Sequence, residues 1–597
     1  MTVHERIDAL RILMKEKHID AYIVPSCDNH QSEYVGEHFK SREFMSGFTG
    51  SAGDLVVTKD KAGLWTDARY FIQAEKQMNG SGIKLFRMGE PGVPSMEEFL
   101  DSVLPDNGTL GFDGRVIAMQ DGISLSKRFS IRNIKIDYEN DLVDAIWENR
   151  PELSQDPAFI LLEKYCGESI SSKLSRIRAE MKEYHANKHI LTTLDDICWI
   201  INLRGNDIEY SPLILSYAII NEESMDLFID ENKLNNEIKD LLSENNIIIR
   251  PYNDIYDDVK NFDECNCILI DPKKINHAIY CNIPAKCEKI ERSNPSTLFK
   301  AIKNDIEIKN IINAHIKDGV AVTKFMHWIK SNVGKVKITE ISASEKLEEF
   351  REEGEGYLWQ SFEPICSYKE HAAMVHYSAT HETDVAIEPA HMFLNDTGGN
   401  YYEGSTDITR TFVVGELSDS ERLHFTTVVR SMLNLADAKF LYGCTGYNLD
   451  ILARKPMWDL GLDFKHGTGH GVGYLLSIHE GPAGFRWQQL SNRNESSKLE
   501  SGMVITDEPG IYIENSHGVR IENELVVRKG ENNEFGQFMY FEPITYVPID
   551  LDGIDKELMT VDEISRLNSY HKKVYETISP YLEGEELEWF KIYTRKI

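Results

Sequence analysis

Long apolar runs are missing from this sequence. No window approaches 18 uninterrupted apolar residues, so no membrane-spanning helix is expected. Charges interrupt Met1 to His18 every few positions, which excludes a signal-peptide core from that stretch. Tyr593 to Ile597 carries no retention or lipidation signal. Positive charge is also scarce. Lys and Arg number 65 against 97 Asp and Glu, a formal net charge of −32. So acidic a chain repels nucleic acid and anionic membrane, and neither is expected as a partner. Cysteine is sparse: nine residues, an odd number, at irregular spacing. Cys265, Cys267, Cys281 and Cys287 lie near one another, but C-x-C followed by C-x5-C fits no common zinc template. Reduced thiols in a cytoplasmic protein are the expectation. Low-complexity sequence is absent as well.

What is present is the composition of a soluble globular protein, with 41% hydrophobic and 27% charged residues. At 597 residues the chain is too long for one core, and two to four domains are expected. Ile7, Leu10, Leu13 and Met14 fall at helical spacing. A short strand Ala21 to Pro25 follows, then the turn-rich run F-M-S-G-F-T-G-S-A-G. Strands at Asp54 to Thr58 and Ala62 to Thr66 and a helix from about Arg69 to Gln77 come next. Alternating helix and strand predicts an α/β layer domain that ends in the proline-containing linker Pro151 to Pro157. A helix at Ile170 to Glu183, a strand at His189 to Thr192 and a buried strand at Leu213 to Ile220 repeat that plan, which suggests a degenerate duplication. Neither half carries a cluster of metal-ligand residues.

A third region starts near residue 300. Asn304 with Glu307, and Ser418 with Glu421, have the spacing of capping boxes, each ahead of a long amphipathic helix. Val519, Ile521, Leu525 and Val527 alternate with Arg520, Glu522 and Glu524, which predicts one strand with the charged residues on a shared face. Helices mixed with antiparallel strands give an α+β class.

Chemistry concentrates between residues 396 and 522. Asp396 closes an apolar run ahead of Thr397-Gly-Gly399, a place for a ligand or equally for an Asx-turn. Asp407 opens a strand-like run to Val414, and Arg410 is a ready partner for it. His470 lies in H-G-T-G-H-G-V-G, where glycines allow close backbone approach, though a hydrogen-bonded core histidine would read the same way. Glu508 precedes Pro509-Gly510, which ends the strand Met503 to Thr506. Glu522 sits among apolar neighbours, costly unless paired with Arg520 or bound to metal. Taken together, four carboxylates and one imidazole supply about four negative charges, the amount that neutralises two divalent cations. An oxygen-rich set without thiolate suits manganese or cobalt better than structural zinc. Two such ions can share a bridging water and lower its pKa, which provides the nucleophile for amide hydrolysis. His376, His466 and His479 lie in neighbouring segments and could donate hydrogen bonds or shuttle protons.

These segments resemble the pita-bread metallopeptidases, and more closely the three-domain aminopeptidases P (Xaa-Pro aminopeptidases). H-G-T-G-H-G-V-G followed by H-E-G-P is the most specific part. A-Y-I-V-P-S, S-G-F-T-G-S-A-G, L-W-T-D-A-R-Y-F and L-D-D-I-C-W-I-I-N-L-R-G extend the likeness over the whole chain. The resemblance implies two creatinase-like α/β domains, residues 1–157 and 158–300, ahead of a pita-bread catalytic domain, residues 301–597. It implies that Asp396, Asp407, His470, Glu508 and Glu522 hold two Mn²⁺ ions, with Co²⁺ or Zn²⁺ as alternatives, and that Asp407 and Glu522 bridge them. It further implies that Glu508 takes the proton of the attacking water, that His376, His466 and His479 line the substrate site, that His479 stabilises the developing oxyanion or contacts the scissile residue, and that Arg69 contacts the peptide. An ion pair is the structural alternative for Arg69. The implied reaction is attack by metal-bridging hydroxide on the X-Pro bond, releasing the first residue of a peptide with proline second, in a cytoplasmic homodimer. Lys369-Glu370-His371 departs from the more neutral loop usual in the family, and Ser405 stands where threonine is usual. The first departure bears on substrate preference.

Overall fold

The computed structural model describes residues 1–489 and 497–597. The chain forms two compact units, residues 1–161 with 168–296, and residues 162–167 with 297–597. No helix among the described residues is long and apolar enough to cross a membrane.

The first unit holds two six-stranded sheets. In one, the order is Lys84–Arg87, Ala62–Thr66, Asp54–Thr58, Ala21–Val24, Thr109–Phe112, Lys135–Asp137. In the other it is Ile247–Arg250, Met225–Ile229, Ser216–Asn221, Lys188–Leu191, Cys267–Ile270, Glu288–Glu291. Read across either sheet, the pairings run parallel, antiparallel, antiparallel, parallel, parallel. The duplication read from sequence is therefore a duplication of topology. The helix expected from Arg69 begins instead at Phe71, after Arg69 has been used in a turn. The helix Ile170–Glu183 has the predicted bounds, and Ser169 caps its first turn.

The second unit is α+β. The helix Asp305–Asn332 begins at the capping box of Asn304 and Glu307, and buries Ile308, Ile311, Val322, Phe325, Met326 and Ile329. Four of these, Val322 to Ile329, pack with the helix Glu340–Glu352 on the antiparallel sheet Ile365–Tyr368, Met392–Thr397, Ile408–Val413. The helix Asp419–Ala436 starts at the capping box of Ser418 and Glu421 and packs on the hairpin Gly510–Ile513 with His517–Arg520. A second, wholly antiparallel sheet runs Lys439–Leu441, Gly536–Pro543, Asn523–Asn533, Val504–Asp507, Gly469–Val472, His479–Phe485.

Two more expected elements are corrected, the first being the strand expected from Leu213, which begins at Ser216. The second, Val519 to Val527, is not a single strand. It splits into His517–Arg520, in the hairpin, and Asn523–Asn533, in the six-stranded sheet. Ile521 and Glu522 form the crossing between sheets. Alternation survived because both sides of the crossing are buried, so the apolar positions still face cores on either side.

Candidate active site

Five predicted ligands converge in the second unit from four elements and the crossing. Asp396 lies in the strand Met392–Thr397, paired with Ile365 and Thr409. Asp407 immediately precedes the strand Ile408–Val413. His470 is in Gly469–Val472, Glu508 directly follows Val504–Asp507, and Glu522 sits in the crossing. Ligand atoms of Asp407, His470 and Glu522 all lie within 4.8 Å of one another. His470 Nε2 is 3.3 Å from Asp407 Oδ2 and 3.9 Å from Glu508 Oε1.

The glycines around His470 act on backbone packing. A Cβ on Gly469 would stand 1.8 Å from Thr506 O, and one on Gly471 would stand 2.2 Å from Glu480 O. Only glycine lets these strands approach so closely, and that approach brings His470 beside Glu508.

Three of the alternatives weighed for single residues, those for Asp407, Glu522 and Asp396, are not what the structure holds. Arg410 does not pair with Asp407. Its guanidinium donates to Pro548 O, Thr409 O, Glu522 O, Val547 O, Asn523 Oδ1 and Tyr570 OH. Arg520 does not pair with Glu522 but with Asp396, at 2.5 Å from Nη2 and 3.0 Å from Nε to Oδ2. Asp396 is a strand residue and not a turn residue. Its other oxygen, Oδ1, is buried with no hydrogen-bond partner.

Burial and unbalanced negative charge set the electrostatics of the site. Burial pushes the Asp407 carboxyl well above the usual carboxylate range, and the charges of Asp396 and Glu508 push it further. Glu522 is raised well above its usual range by burial, then by Asp407 and Glu508. Burial raises Glu508 too, against the opposing pull of His470 and Arg520. Such a donor set fits a pair of divalent cations. It is oxygen-rich, it holds more negative charge than its own cations balance, and Asp396 Oδ1 lacks a partner. The imidazole fits as well. The Nδ1–H of His470 is directed at Gly471 O, 2.9 Å away, which leaves the Nε2 lone pair facing Asp407.

Sequence reading missed the groups that hold these ligands. Thr409 Oγ1 donates to Glu522 Oε2 at 2.7 Å. Asp407 N–H donates to Glu524 Oε1 at 2.8 Å, and the other oxygen of Glu524 is 3.0 Å from His315 Nε2. Arg520 Nη1 donates to Tyr512 OH at 2.6 Å, so that hydroxyl donates onward to His466 Nε2 at 2.9 Å. His466 gives its Nδ1–H to Gly467 O, and burial, reinforced by Arg520, holds its pKa well below the usual value. It is a neutral imidazole, 3.9 Å from Glu508. The charged R-I-E-N-E run was the only signal for these supports, and it did not disclose their partners.

His479 opens the strand His479–Phe485 and meets the His470 ring edge-on, with centroids 4.3 Å apart. His376 is half-buried between two anchored neighbours. Arg520 Nη2 donates to Val375 O at 3.3 Å, and Tyr377 OH donates to the buried Glu340 at 3.0 Å. Arg69 lies in the first unit, where its guanidinium is paired with Asp67 at 2.7 and 2.9 Å. The ion pair weighed for it from sequence is therefore present.

Comparison with known proteins identifies the class. Residues 309–529 match the model of metallopeptidase family M24 and residues 537–597 that of the C-terminal region of peptidase M24. Two models of the creatinase/prolidase N-terminal domain match residues 6–146 and 149–307. This is the pita-bread architecture preceded by two creatinase-like domains. More particularly, the chain belongs to the Xaa-Pro aminopeptidase (aminopeptidase P) family. It is 38% identical to aminopeptidase P2 of Arabidopsis thaliana, over 100% of this chain and 89% of the relative. It is 37% identical to Xaa-Pro aminopeptidase 1 of Dictyostelium discoideum, over 99% of this chain and 96% of the relative. Among solved structures, X-prolyl aminopeptidase of Caenorhabditis elegans, described as a cytosolic enzyme with a di-nuclear active site, superposes with a TM-score of 0.95. That likeness is at 32% identity and covers 100% of both chains. A Xaa-Pro dipeptidase of Bacillus anthracis matches at 26% identity and a TM-score of 0.52, with 99% of its chain covering 64% of this one.

Proposed function

We propose that this chain is a Xaa-Pro metalloaminopeptidase, a hydrolase that releases the first residue of peptides with proline in second position. The observation that carries the reading is the Asp407, His470 and Glu522 cluster, with Asp396 and Glu508 beside it, in a chain alike over its whole length to an X-prolyl aminopeptidase. Asp396, Asp407, His470, Glu508 and Glu522 would hold two divalent cations. Manganese is our assignment, with cobalt or zinc as alternatives, because the set is oxygen-rich and lacks thiolate. When bound, the cations supply Lewis acidity that makes water nucleophilic near neutral pH.

The chain's own groups do the rest. The Glu508 carboxylate accepts the proton of the attacking water and delivers it to the leaving proline nitrogen. The X-Pro bond is a tertiary amide without an N–H, so recognition falls on the carbonyl and on the free amino end. His479 and His376 donate hydrogen bonds to the carbonyl oxygen as negative charge develops on it. His466 stays neutral and lines the substrate site, and Arg69 contacts the peptide. Arg520 fixes one oxygen of Asp396 and leaves the other for a cation.

We assign the chain three domains, with boundaries near residues 157 and 300, a cytoplasmic location and a homodimeric state. Sedimentation at the mass of one chain would remove the last of these. The deciding experiment strips the purified protein with chelator, restores Mn²⁺ and compares Arg-Pro-Pro, Ala-Ala-Ala and Gly-Pro. Manganese-dependent release of arginine from the first peptide alone is expected. Cleavage of Gly-Pro alone would make the chain a dipeptidase, and no cleavage of any would overturn the reading.

A further inference from the structure

Glu340 is the first residue of the helix Glu340–Glu352, and its side chain is fully buried. The helix end does not require it, because Thr339 and Ser342 already form the capping box there. The carboxylate turns instead to one loop. Oε1 accepts from Tyr368 N at 2.8 Å and from His371 Nδ1 at 3.0 Å. Oε2 accepts from Tyr377 OH at 3.0 Å and is 3.1 Å from the same His371 Nδ1. The rings of His371 and Tyr377 lie 4.4 Å apart. All three donors belong to residues 368–377.

That loop is clamped a second time from the site. The Arg520 guanidinium that holds Asp396 also donates to Val375 O. A Cβ on Gly518, two residues before Arg520, would stand 1.7 Å from Ala372 O, so the hairpin and the loop are in direct backbone contact. Lys369 holds a left-handed backbone, φ +53°, which a non-glycine residue keeps only when its surroundings enforce it. His376 thus stands between Val375, fastened to the candidate metal centre, and Tyr377, fastened to Glu340.

We propose that Glu340 is a positioning residue for the reaction: through His371 and Tyr377 it sets the loop so that His376 meets the substrate carbonyl. The inference rests on the proposed activity and on the substrate role of His376. A carboxylate can only accept, so each of its contacts fixes the donor's orientation, and burial keeps water from competing. His371 gives this loop a side-chain donor to the buried carboxylate.

A double-mutant cycle on kcat/KM for Arg-Pro-Pro tests it. Glu340→Gln in the native background should lower kcat/KM at least tenfold, mainly in kcat, with bound metal unchanged. In a His376→Ala background the same substitution should cost less than twofold, because the group it positions is gone. His371→Asn, which keeps an N–H donor, should recover part of what His371→Ala loses. If Glu340→Gln does not fold, Tyr377→Phe completes the same cycle. An equal loss in both backgrounds, or no loss in either, overturns the proposal and leaves the proposed activity standing. Failure of the unsubstituted, manganese-restored chain to release arginine overturns both.

Discussion

Two buried clusters of opposite character show how this chain handles charge. In the first unit, Lys233 and Asp207 form a pair with side chains 2% and 1% exposed. Leu215 N donates to the second oxygen of Asp207 at 2.7 Å, and Lys233 Nζ donates further to Ser154 O at 2.7 Å. Charge is balanced one for one and the polar atoms are used. In the second unit, four carboxylates gather, with the Arg520 guanidinium hydrogen-bonded to Asp396. Burial, with repulsion from neighbouring carboxylates, raises three of their pKa values, and Asp396 Oδ1 has no partner. A scaffold cluster minimises the cost of burying charge. A binding cluster retains an imbalance that a ligand of opposite charge can relieve.

The comparison can be broken by substitution. The largest effect is expected from Glu508→Gln, which should lower kcat on Arg-Pro-Pro about 10³-fold with an unchanged circular dichroism spectrum. Retained activity would place the proton acceptor elsewhere. Next in size, Asp207→Asn should destabilise the folded chain by about 3–5 kcal/mol, because it strands the buried ammonium of Lys233. Urea unfolding would measure this, and a change below about 1 kcal/mol would show that the pair is not a balanced scaffold element.

Glu522→Gln should act in the opposite direction. In chelated protein it removes repulsion and should stabilise by about 1 kcal/mol, while lowering manganese binding measured by calorimetry. Destabilisation of the chelated protein would mean that the cluster is balanced after all. The pH dependence follows from the same shifts. Asp407, Glu508 and Glu522 have folded-state pKa values above their ordinary ones, so the fold favours their protonated forms. The stability they contribute is complete below about pH 4 and is lost as pH rises through the raised values. Chelated protein should therefore lose stability, relative to manganese-loaded protein, as pH rises above about 4. Parallel melting curves for the two forms would contradict this. The smallest effect is expected from Tyr512→Phe, which cuts the link from Arg520 to His466 and should lower kcat/KM by less than about tenfold.

Much of the fold was legible before any coordinates. Capping boxes at Asn304 and Ser418, the strands at Asp54 and Ala62 and the repeated plan of the first unit are local signals, set by hydrogen-bonding and side-chain period over a few residues. The crossing at Glu522 was not legible. A break between two sheets leaves no trace in an alternation pattern when both sheets bury the same faces.

The candidate site divides in the same way. The five residues of the candidate set stood out only together, by their summed charge and by their likeness to the family's motifs, because each alone read equally well as a structural residue. Their partners did not stand out. Arg410 and Arg520 each stand beside an acidic residue in sequence, yet Arg410 goes to backbone carbonyls and Arg520 to Asp396, 124 positions away. Thr409, Tyr512, Glu524 and Glu340 act through contacts across elements. The sequence by itself determined which residues carry charge and which segments become strands and helices, because those follow from local chemistry. Only the tertiary structure decided which charges are balanced and which are left for a ligand. Pairing depends on the packing of distant strands, and the break between Arg520 and Asn523 separates residues that an unbroken strand would have put on one face.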